Sequence, residues 1–163
     1  MAKVLFVCTG NVCRSPMAEG LYRALTEEDP EVEIGSAGIS AAEGLAPSDA
    51  SVRVMGKAGI DISRQRSRQL TPKMIAEATH IFVMTSGHKM AVENMSPAAA
   101  EKTFLLLEPA AGDDAVREAP WSLNVPDPIG HGIDVYESTF QLIRAAMPSL
   151  IEFVRQTDAK TEH

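Results

Sequence analysis

Residues 4–16 read Val4-Leu5-Phe6-Val7-Cys8-Thr9-Gly10-Asn11-Val12-Cys13-Arg14-Ser15-Pro16. The four apolar residues at the start are uninterrupted by polar ones, as in a strand that is buried on both faces of a parallel sheet. The polar residues after them predict a loop. Ser15 suits the N-cap of a helix and Pro16 its first position. The segment therefore predicts a strand, a loop and a helix in succession.

Strands and helices alternate along the rest of the chain. Further strands are predicted at residues 32–36, 81–84 and 103–107. Helices are predicted at residues 48–57, through Met90 and Met95, and at 134–155, and residues 108–132 look irregular. This order predicts βαβ units and a parallel sheet covered on both faces. Ligands of such folds bind beyond the carboxyl ends of the strands, where Cys8 is expected.

Length and composition exclude several classes of protein. The 163 residues are 45% hydrophobic and 23% charged, which suits one globular domain, predicted at residues 1–157 with a frayed tail at 158–163. No apolar run approaches the roughly 20 residues that span a bilayer, and the first run is too short for a secretory signal. We therefore expect a cytoplasmic protein. The net charge of −7 argues against nucleic acid or an anionic membrane as a partner.

The only two cysteines, Cys8 and Cys13, stand five positions apart. A disulfide framework needs more cysteines at wider spacings, so catalysis or redox chemistry is the better interpretation in a reducing compartment. For Cys13 alone, a small buried core residue is an equally good interpretation.

The segment from Cys8 to Arg14 suits nucleophilic attack on a phosphate group. The attacking species must be a thiolate, and backbone N–H groups that point into a loop ending at a helix N-terminus favour that anion. Arg14 adds a planar cation that can bind two phosphate oxygens. Gly10 is expected to allow a tight turn that other residues avoid. The alternative is a packing cysteine followed by a surface arginine.

The motif Val7-Cys8-Thr9-Gly10-Asn11-Val12-Cys13-Arg14-Ser15-Pro16-Met17-Ala18-Glu19 resembles the N-terminal motif of the low-molecular-weight protein tyrosine phosphatases. The similarity covers most of the chain and continues through Ser36-Ala37-Gly38, Gly59-Ile60-Asp61-Ile62-Ser63 and Val125-Pro126-Asp127-Pro128. It implies an α/β domain with a four-stranded parallel sheet flanked by helices. It also implies a two-step mechanism that needs no metal or cofactor and acts on a phosphorylated protein or peptide.

The resemblance implies a role for each motif residue. Asp127 would be the general acid that protonates the leaving group and later the base that activates water; the alternative is an aspartate that opens a proline turn. The phosphate-binding loop would comprise Thr9, Gly10, Asn11, Val12, Cys13 and Ser15. A hydrogen-bond network of Asn11, Ser15 and Ser36 would shape it. Cys13 would form a reversible disulfide with the nucleophile.

Some residues depart from the family pattern. Many relatives have a histidine where this chain has Arg64-Gln65-Arg66-Ser67-Arg68, so Gln65 is a candidate substitute donor and the arginines are expected to be a solvated face. The histidines His80, His88 and His131 lack metal-ligand spacing and are interpreted as surface or structural residues. Trp121 is expected to pack the Asp127 loop down.

The substrate is the open question. The aromatic residues with which tyrosine-directed relatives flank the phenyl ring are missing, and residues 127–136 look like the protein arginine phosphatase branch. That branch favours threonine where this chain has Val12, which favours phosphotyrosine. Arsenate reduction would need further cysteines, and a simple anion-binding module would not need Asp127. The oligomeric state stays open.

Overall fold

The chain folds around a four-stranded parallel sheet in a computed structural model that describes residues 1–27 and 29–161. The strands are β1 (Ala2–Cys8), β2 (Val32–Gly38), β3 (His80–Val83) and β4 (Thr103–Leu105). All pairs are parallel and the order is β2-β1-β3-β4. The predicted α/β fold is confirmed.

The position of β1 decides where a ligand can bind. Cys8 is in register with Gly38 of β2, and Val7 is in register with Val83 of β3. The chain leaves β1 towards β2 on one side and later adds β3 and β4 on the other. The carboxyl end of β1 is therefore the point at which the strand order reverses, where open parallel sheets bind ligands.

Seven α-helices surround the sheet in the described part of the chain. They are α1 (Arg14–Leu25), α2 (Asp49–Lys57), α3 (Pro72–Glu77), α4 (Ser86–Met95), α5 (Glu108–Ala111), α6 (Asp113–Glu118) and α7 (Ile133–Thr161). Two 3₁₀-helices span Pro97–Lys102 and Pro120–Leu123. Side-chain caps begin α2, α3 and α4, where hydroxyls of Ser48, Thr71 and Thr85 accept backbone N–H groups three residues on.

The core holds the strand before the loop and the helix after it. Phe6 of β1 and Phe82 of β3 stack at 5.9 Å and are completely buried. Helix α1 buries Met17 and Tyr22 against the same core, and α7 packs against α1. Because both ends of the loop are buried in one core, the loop between them has little freedom to move.

Several predicted boundaries were wrong. Helix α7 was predicted to end at Arg155, but it continues to Thr161, because Thr157 anchors it to His80 of β3 at 2.7 Å. The expected tail is therefore helical over residues 158–161, and residues 162–163 lie outside the described residues.

The irregular stretch at 108–132 contains α5, α6 and a 3₁₀-helix. Its prolines Pro109 and Pro120 begin helical turns instead of breaking them. Strand β4 ends at Leu105, earlier than predicted, and helix α3 was not predicted at all. Within the described residues, no helix combines the length and apolar character needed to cross a membrane.

Candidate active site

The loop between β1 and α1 has one residue in the left-handed region. Asn11 has a φ of 56°, which asparagine tolerates better than most residues. Gly10 was expected to provide this turn and does not, because its φ is not positive. The loop therefore takes its curvature from Asn11, whose side chain is also held by hydrogen bonds.

A chain of hydrogen bonds leads from Asn11 to the thiol. The Nδ2 of Asn11 donates to Oγ of Ser15 at 2.8 Å and to Oγ of Ser36 at 2.9 Å. The Oγ of Ser15 lies 2.9 Å from Sγ of Cys8. Because the Ser15 oxygen already accepts from Asn11, its own hydrogen is available to the sulfur. The arrangement suits a serine that donates to a thiolate.

The other side of Asn11 is held by the segment that departs from the family pattern. The backbone N–H of Arg68 donates to Oδ1 of Asn11 at 3.0 Å, and Nε of Arg68 donates to the carbonyl of Ser36. Gln65, the candidate substitute, donates to the carbonyl of Pro16 instead. A backbone amide, which sequence patterns cannot reveal, therefore completes this network. The three arginines of the segment are exposed, as expected.

Arg14 is a buried cation with uncommitted hydrogen-bonding capacity. Its side chain is only 4% exposed. Nη1 donates to the carbonyl of Val125 at 2.9 Å, and Nη2 lies 3.6 Å from Oδ2 of Asp127. Its Nε is buried and has no partner among the described residues. A buried guanidinium needs anionic acceptors, so the site favours a ligand with several negative oxygens.

Asp127 faces the loop from the segment before α7. Its side chain is 43% exposed, and its Oδ1 accepts the backbone N–H of Ile129 at 3.1 Å. A cavity of about 170 Å³ is lined by both segments: Cys8, Thr9, Gly10, Val12, Cys13, Arg14, Asp127 and Ile129. The structure thus brings the three predicted catalytic residues to one cavity. Cavities of about 360 and 330 Å³ lie elsewhere, and neither is lined by a cysteine.

Sequence reasoning missed the position of His88. Its ring is buried, and Nε2 lies 2.8 Å from Oγ1 of Thr9 in the loop. Burial, reinforced by the Arg14 charge and opposed by Asp127, lowers the pKa of His88 to about 4, so the imidazole is neutral at pH 7. Thr85 could have indicated this position from the sequence. It caps a helix that begins just after β3, at the edge of the sheet where Cys8 lies, and His88 is in the first turn of that helix.

Cys13 contacts the N-cap residue of α2 and a residue of α7. Its sulfur is 3.5 Å from the Tyr136 hydroxyl and 3.6 Å from Oγ of Ser48. Both Cys8 and Cys13 are buried free thiols in this structure. The two thiols thus share one short loop, and a redox role for Cys13 stays a prediction.

Trp121 does not pack against the loop that carries Asp127 (residues 124–132, here called the acid loop), contrary to the prediction. It is 69% exposed, in a one-turn 3₁₀-helix that turns it outwards, while Leu123 and Val125 are the buried anchors of this segment. His131 is exposed as well, whereas His80 is buried and hydrogen-bonded. Among the described residues, no group of three His, Cys, Asp or Glu side chains could hold a metal ion.

Comparisons with known proteins agree with this geometry. The family described as "Low molecular weight phosphotyrosine protein phosphatase" matches residues 3–160. A protein-arginine-phosphatase of Geobacillus stearothermophilus is 39% identical over 92% of this chain and 94% of its own. A probable low molecular weight protein-tyrosine-phosphatase, EpsP, of Ralstonia nicotianae is 32% identical over 93% and 95%.

A solved structure is similarly close. The YwlE arginine phosphatase from Geobacillus stearothermophilus superposes with a TM-score of 0.85 and 36% identity, covering 100% of this chain and 99% of that one. The chain therefore belongs to the low-molecular-weight phosphotyrosine protein phosphatase family, as its N-terminal motif predicted, and is a phosphatase.

Proposed function

We propose that this enzyme hydrolyses phosphotyrosine in proteins or peptides, with Cys8 as the nucleophile. The observation that carries the proposal is the cavity into which Cys8, Arg14 and Asp127 all open. A thiol, a buried guanidinium and a partly exposed carboxyl group are the parts that two-step phosphoryl transfer through cysteine requires.

In the first step, the Cys8 thiolate attacks phosphorus. An S–P bond forms as the bond to the tyrosine oxygen breaks, and Asp127 gives its proton to that oxygen. Arg14 binds the phosphoryl oxygens through its free Nε and its Nη groups, and this charge pairing is strongest where water is excluded. The product is a cysteinyl-phosphate and a neutral phenol.

In the second step, water attacks the cysteinyl-phosphate. Asp127, now a carboxylate, takes a proton from the water, and the S–P bond breaks to release phosphate. The departing group is the Cys8 thiolate, which the nearby Ser15 hydroxyl can stabilise by a hydrogen bond. Apart from water, neither step needs a group from outside the chain, and the mechanism therefore predicts that no cofactor is required.

Apolar residues at the cavity favour an aromatic substrate. Val12 and Ile129 line the cavity beside the polar loop, and Ile129 is 58% exposed. Their methyl groups offer van der Waals contact to a phenyl ring but no hydrogen bond to a guanidinium. These contacts support phosphotyrosine.

Phosphoarginine is the second candidate. The Geobacillus stearothermophilus relative and the solved structure from the same organism are arginine phosphatases by name. The segment Asp127-Pro128-Ile129-Gly130-His131 lacks the aromatic residues expected beside a phenyl ring. Arsenate reduction has less support, because both cysteines lie within one loop and a further thiol would have to come from another molecule. A cytoplasmic location and a phosphorylated protein partner belong to the same proposal.

The test compares phosphate release from matched phosphotyrosine and phosphoarginine peptides. We expect faster turnover of phosphotyrosine and no release from either peptide by the Cys8→Ser variant. A Val12→Thr variant should shift the ratio towards phosphoarginine, because its hydroxyl can accept a guanidinium N–H. Faster phosphoarginine turnover by the unmodified enzyme would overturn the substrate assignment, and activity retained by Cys8→Ser would overturn the mechanism.

A further inference from the structure

The first turn of α4 contacts both sides of the proposed active site. On one side, Nε2 of His88 lies 2.8 Å from Oγ1 of Thr9, the residue after the nucleophile. On the other side, the backbone N–H of Ser86 donates to Oδ1 of Asn124 at 2.9 Å. Asn124 precedes Asp127 by three positions in the acid loop.

These two contacts are rigidly connected. Thr85 caps α4, its hydroxyl accepting the backbone N–H of His88, so both contacting residues lie within one hydrogen-bonded turn. Just before the cap, the carbonyl of Met84 accepts the N–H of Val125 at 2.7 Å. A displacement of the turn would therefore move both contacts together.

The nucleophile loop (residues 8–14) has supports that do not depend on His88, and the acid loop is connected to it by two routes. One route is direct, through Arg14, whose Nη1 donates to the carbonyl of Val125, and the other passes through α4. The loop carbonyls of Cys8 and Thr9 accept the N–H groups of Ile39 and Ser40, both at 2.9 Å, in addition to the Asn11 network. Removing His88 should therefore leave Cys8 in place. It would remove the connection through α4 and leave Arg14 to hold the acid loop against the nucleophile loop.

The imidazole is suited to this role in its neutral form. Its Nδ1 is buried and has no partner among the described residues. Protonation of the ring would bury a second N–H without an acceptor and would place a positive charge near Arg14. Burial and this charge therefore lower the pKa of His88 to about 4. The Thr9 contact is thus made by a neutral ring at neutral pH.

We propose that His88 is a positioning residue, which through Thr9 fixes α4 to the nucleophile loop and so holds Asp127 in line with the leaving group. This inference rests on the proposed phosphatase mechanism and adds a residue to it. His88 is not among the residues that line the cavity of Cys8, Arg14 and Asp127, so its role is exerted through Thr9.

The test uses the dependence of the rate on the leaving group. A phosphotyrosine peptide needs the proton from Asp127, whereas 2,4-dinitrophenyl phosphate releases a weak base that needs none. We expect His88→Ala to lower kcat/KM for the peptide about tenfold, as for one lost hydrogen bond, and to change kcat/KM for the dinitrophenyl ester by much less. His88→Gln, whose neutral amide can reach Thr9, should restore most of the loss.

Two further variants keep the test decisive. Asn124→Ala cuts the same connection at its other end and should reproduce the selective loss, even if His88→Ala is too unstable to assay. In a double variant, Thr9→Val should add little to the loss caused by His88→Ala, because the two substitutions remove the same contact. Equal losses on the two substrates, additive effects or no loss would overturn the inference. Loss of all activity in Cys8→Ser tests the phosphatase mechanism separately.

Discussion

The sulfur of Cys8 lies 2.9 Å from the hydroxyl oxygen of Ser15, which also accepts a hydrogen bond from Asn11. Ser15 occupies the first turn of α1, and both Ser15 and Cys8 are buried residues. A hydrogen bond to a charged group in such surroundings contributes more than one between neutral groups. Ser15 should therefore matter most when Cys8 carries a negative charge.

We expect Ser15→Ala to lower kcat about 10- to 100-fold, because the thiolate leaves less readily from the cysteinyl-phosphate. Phosphoenzyme should accumulate, which rapid quenching of a reaction with labelled substrate can measure. Ser149→Ala, at an exposed position of α7, is the matched control and should behave as the unmodified enzyme. An unchanged kcat with no additional phosphoenzyme would show that the hydroxyl does not assist departure of the thiolate.

Replacing Asp127 by asparagine should remove proton transfer while keeping the side chain's shape. We expect kcat/KM for a phosphotyrosine peptide to fall about 100-fold or more, the usual contribution of a general acid, and kcat/KM for 2,4-dinitrophenyl phosphate to fall far less. Asp134→Asn, an exposed aspartate at the start of α7, controls for the loss of one negative charge. Equal losses on the two substrates would assign Asp127 to binding instead.

The strand, loop and helix of residues 2–25 could be predicted because their signals are local. An apolar run and a proline near the helix start indicate these elements without reference to the rest of the chain. The predicted cap was wrong, because α1 already begins at Arg14 with Cys13 at its N-cap, which makes Ser15 its second residue and Pro16 its third. The contacts that complete the site are not local. The Arg68 amide reaches Asn11 across 57 positions and His88 reaches Thr9 across 79, so only the folded chain brings them together.

The errors have physical causes too. Gly10 was assigned the left-handed turn on its freedom alone, yet Asn11 adopts it because three hydrogen bonds hold its side chain there. Trp121 was assigned to packing on its size, although a one-turn 3₁₀-helix directs it outwards and smaller neighbours fill the core. In both cases, tertiary contacts decided against a residue's average preference.

Gly38 should tolerate no side chain. A Cβ at Gly38 would lie 2.5 Å from the carbonyl oxygen of Thr9 and 3.0 Å from the backbone N of Asn11, so the nucleophile loop itself would have to move. We expect Gly38→Ala to lower both kcat/KM and the thermal midpoint of unfolding. Gly56→Ala in α2 meets nothing within 4 Å and should stabilise the protein slightly, as alanine favours helix. Full activity in Gly38→Ala would show that the loop is not held by this close contact.

Two buried histidines should make the protein sensitive to acid. Burial lowers the pKa of His80, and burial with the Arg14 charge lowers that of His88 from 6.5 to about 4. Above pH 7 both rings are neutral in the folded and unfolded states, so they contribute no pH dependence. As pH falls below about 6.5 the unfolded chain binds protons that the folded chain excludes, and the free energy of unfolding falls until about pH 4.

We expect His88 alone to account for roughly 2–3 kcal/mol of the free energy of unfolding lost between pH 7 and pH 4.5, given the difference between its two pKa values. Urea unfolding of the unmodified protein and of His88→Gln at the two pH values measures this contribution, and the comparison cancels every group that the two proteins share. The variant should lose less stability on acidification, because glutamine does not titrate. His131→Gln removes an exposed histidine and should follow the unmodified protein. Parallel losses in all three proteins would mean that His88 takes up its proton without unfolding, so that the ring is less enclosed than its burial against Thr9 implies.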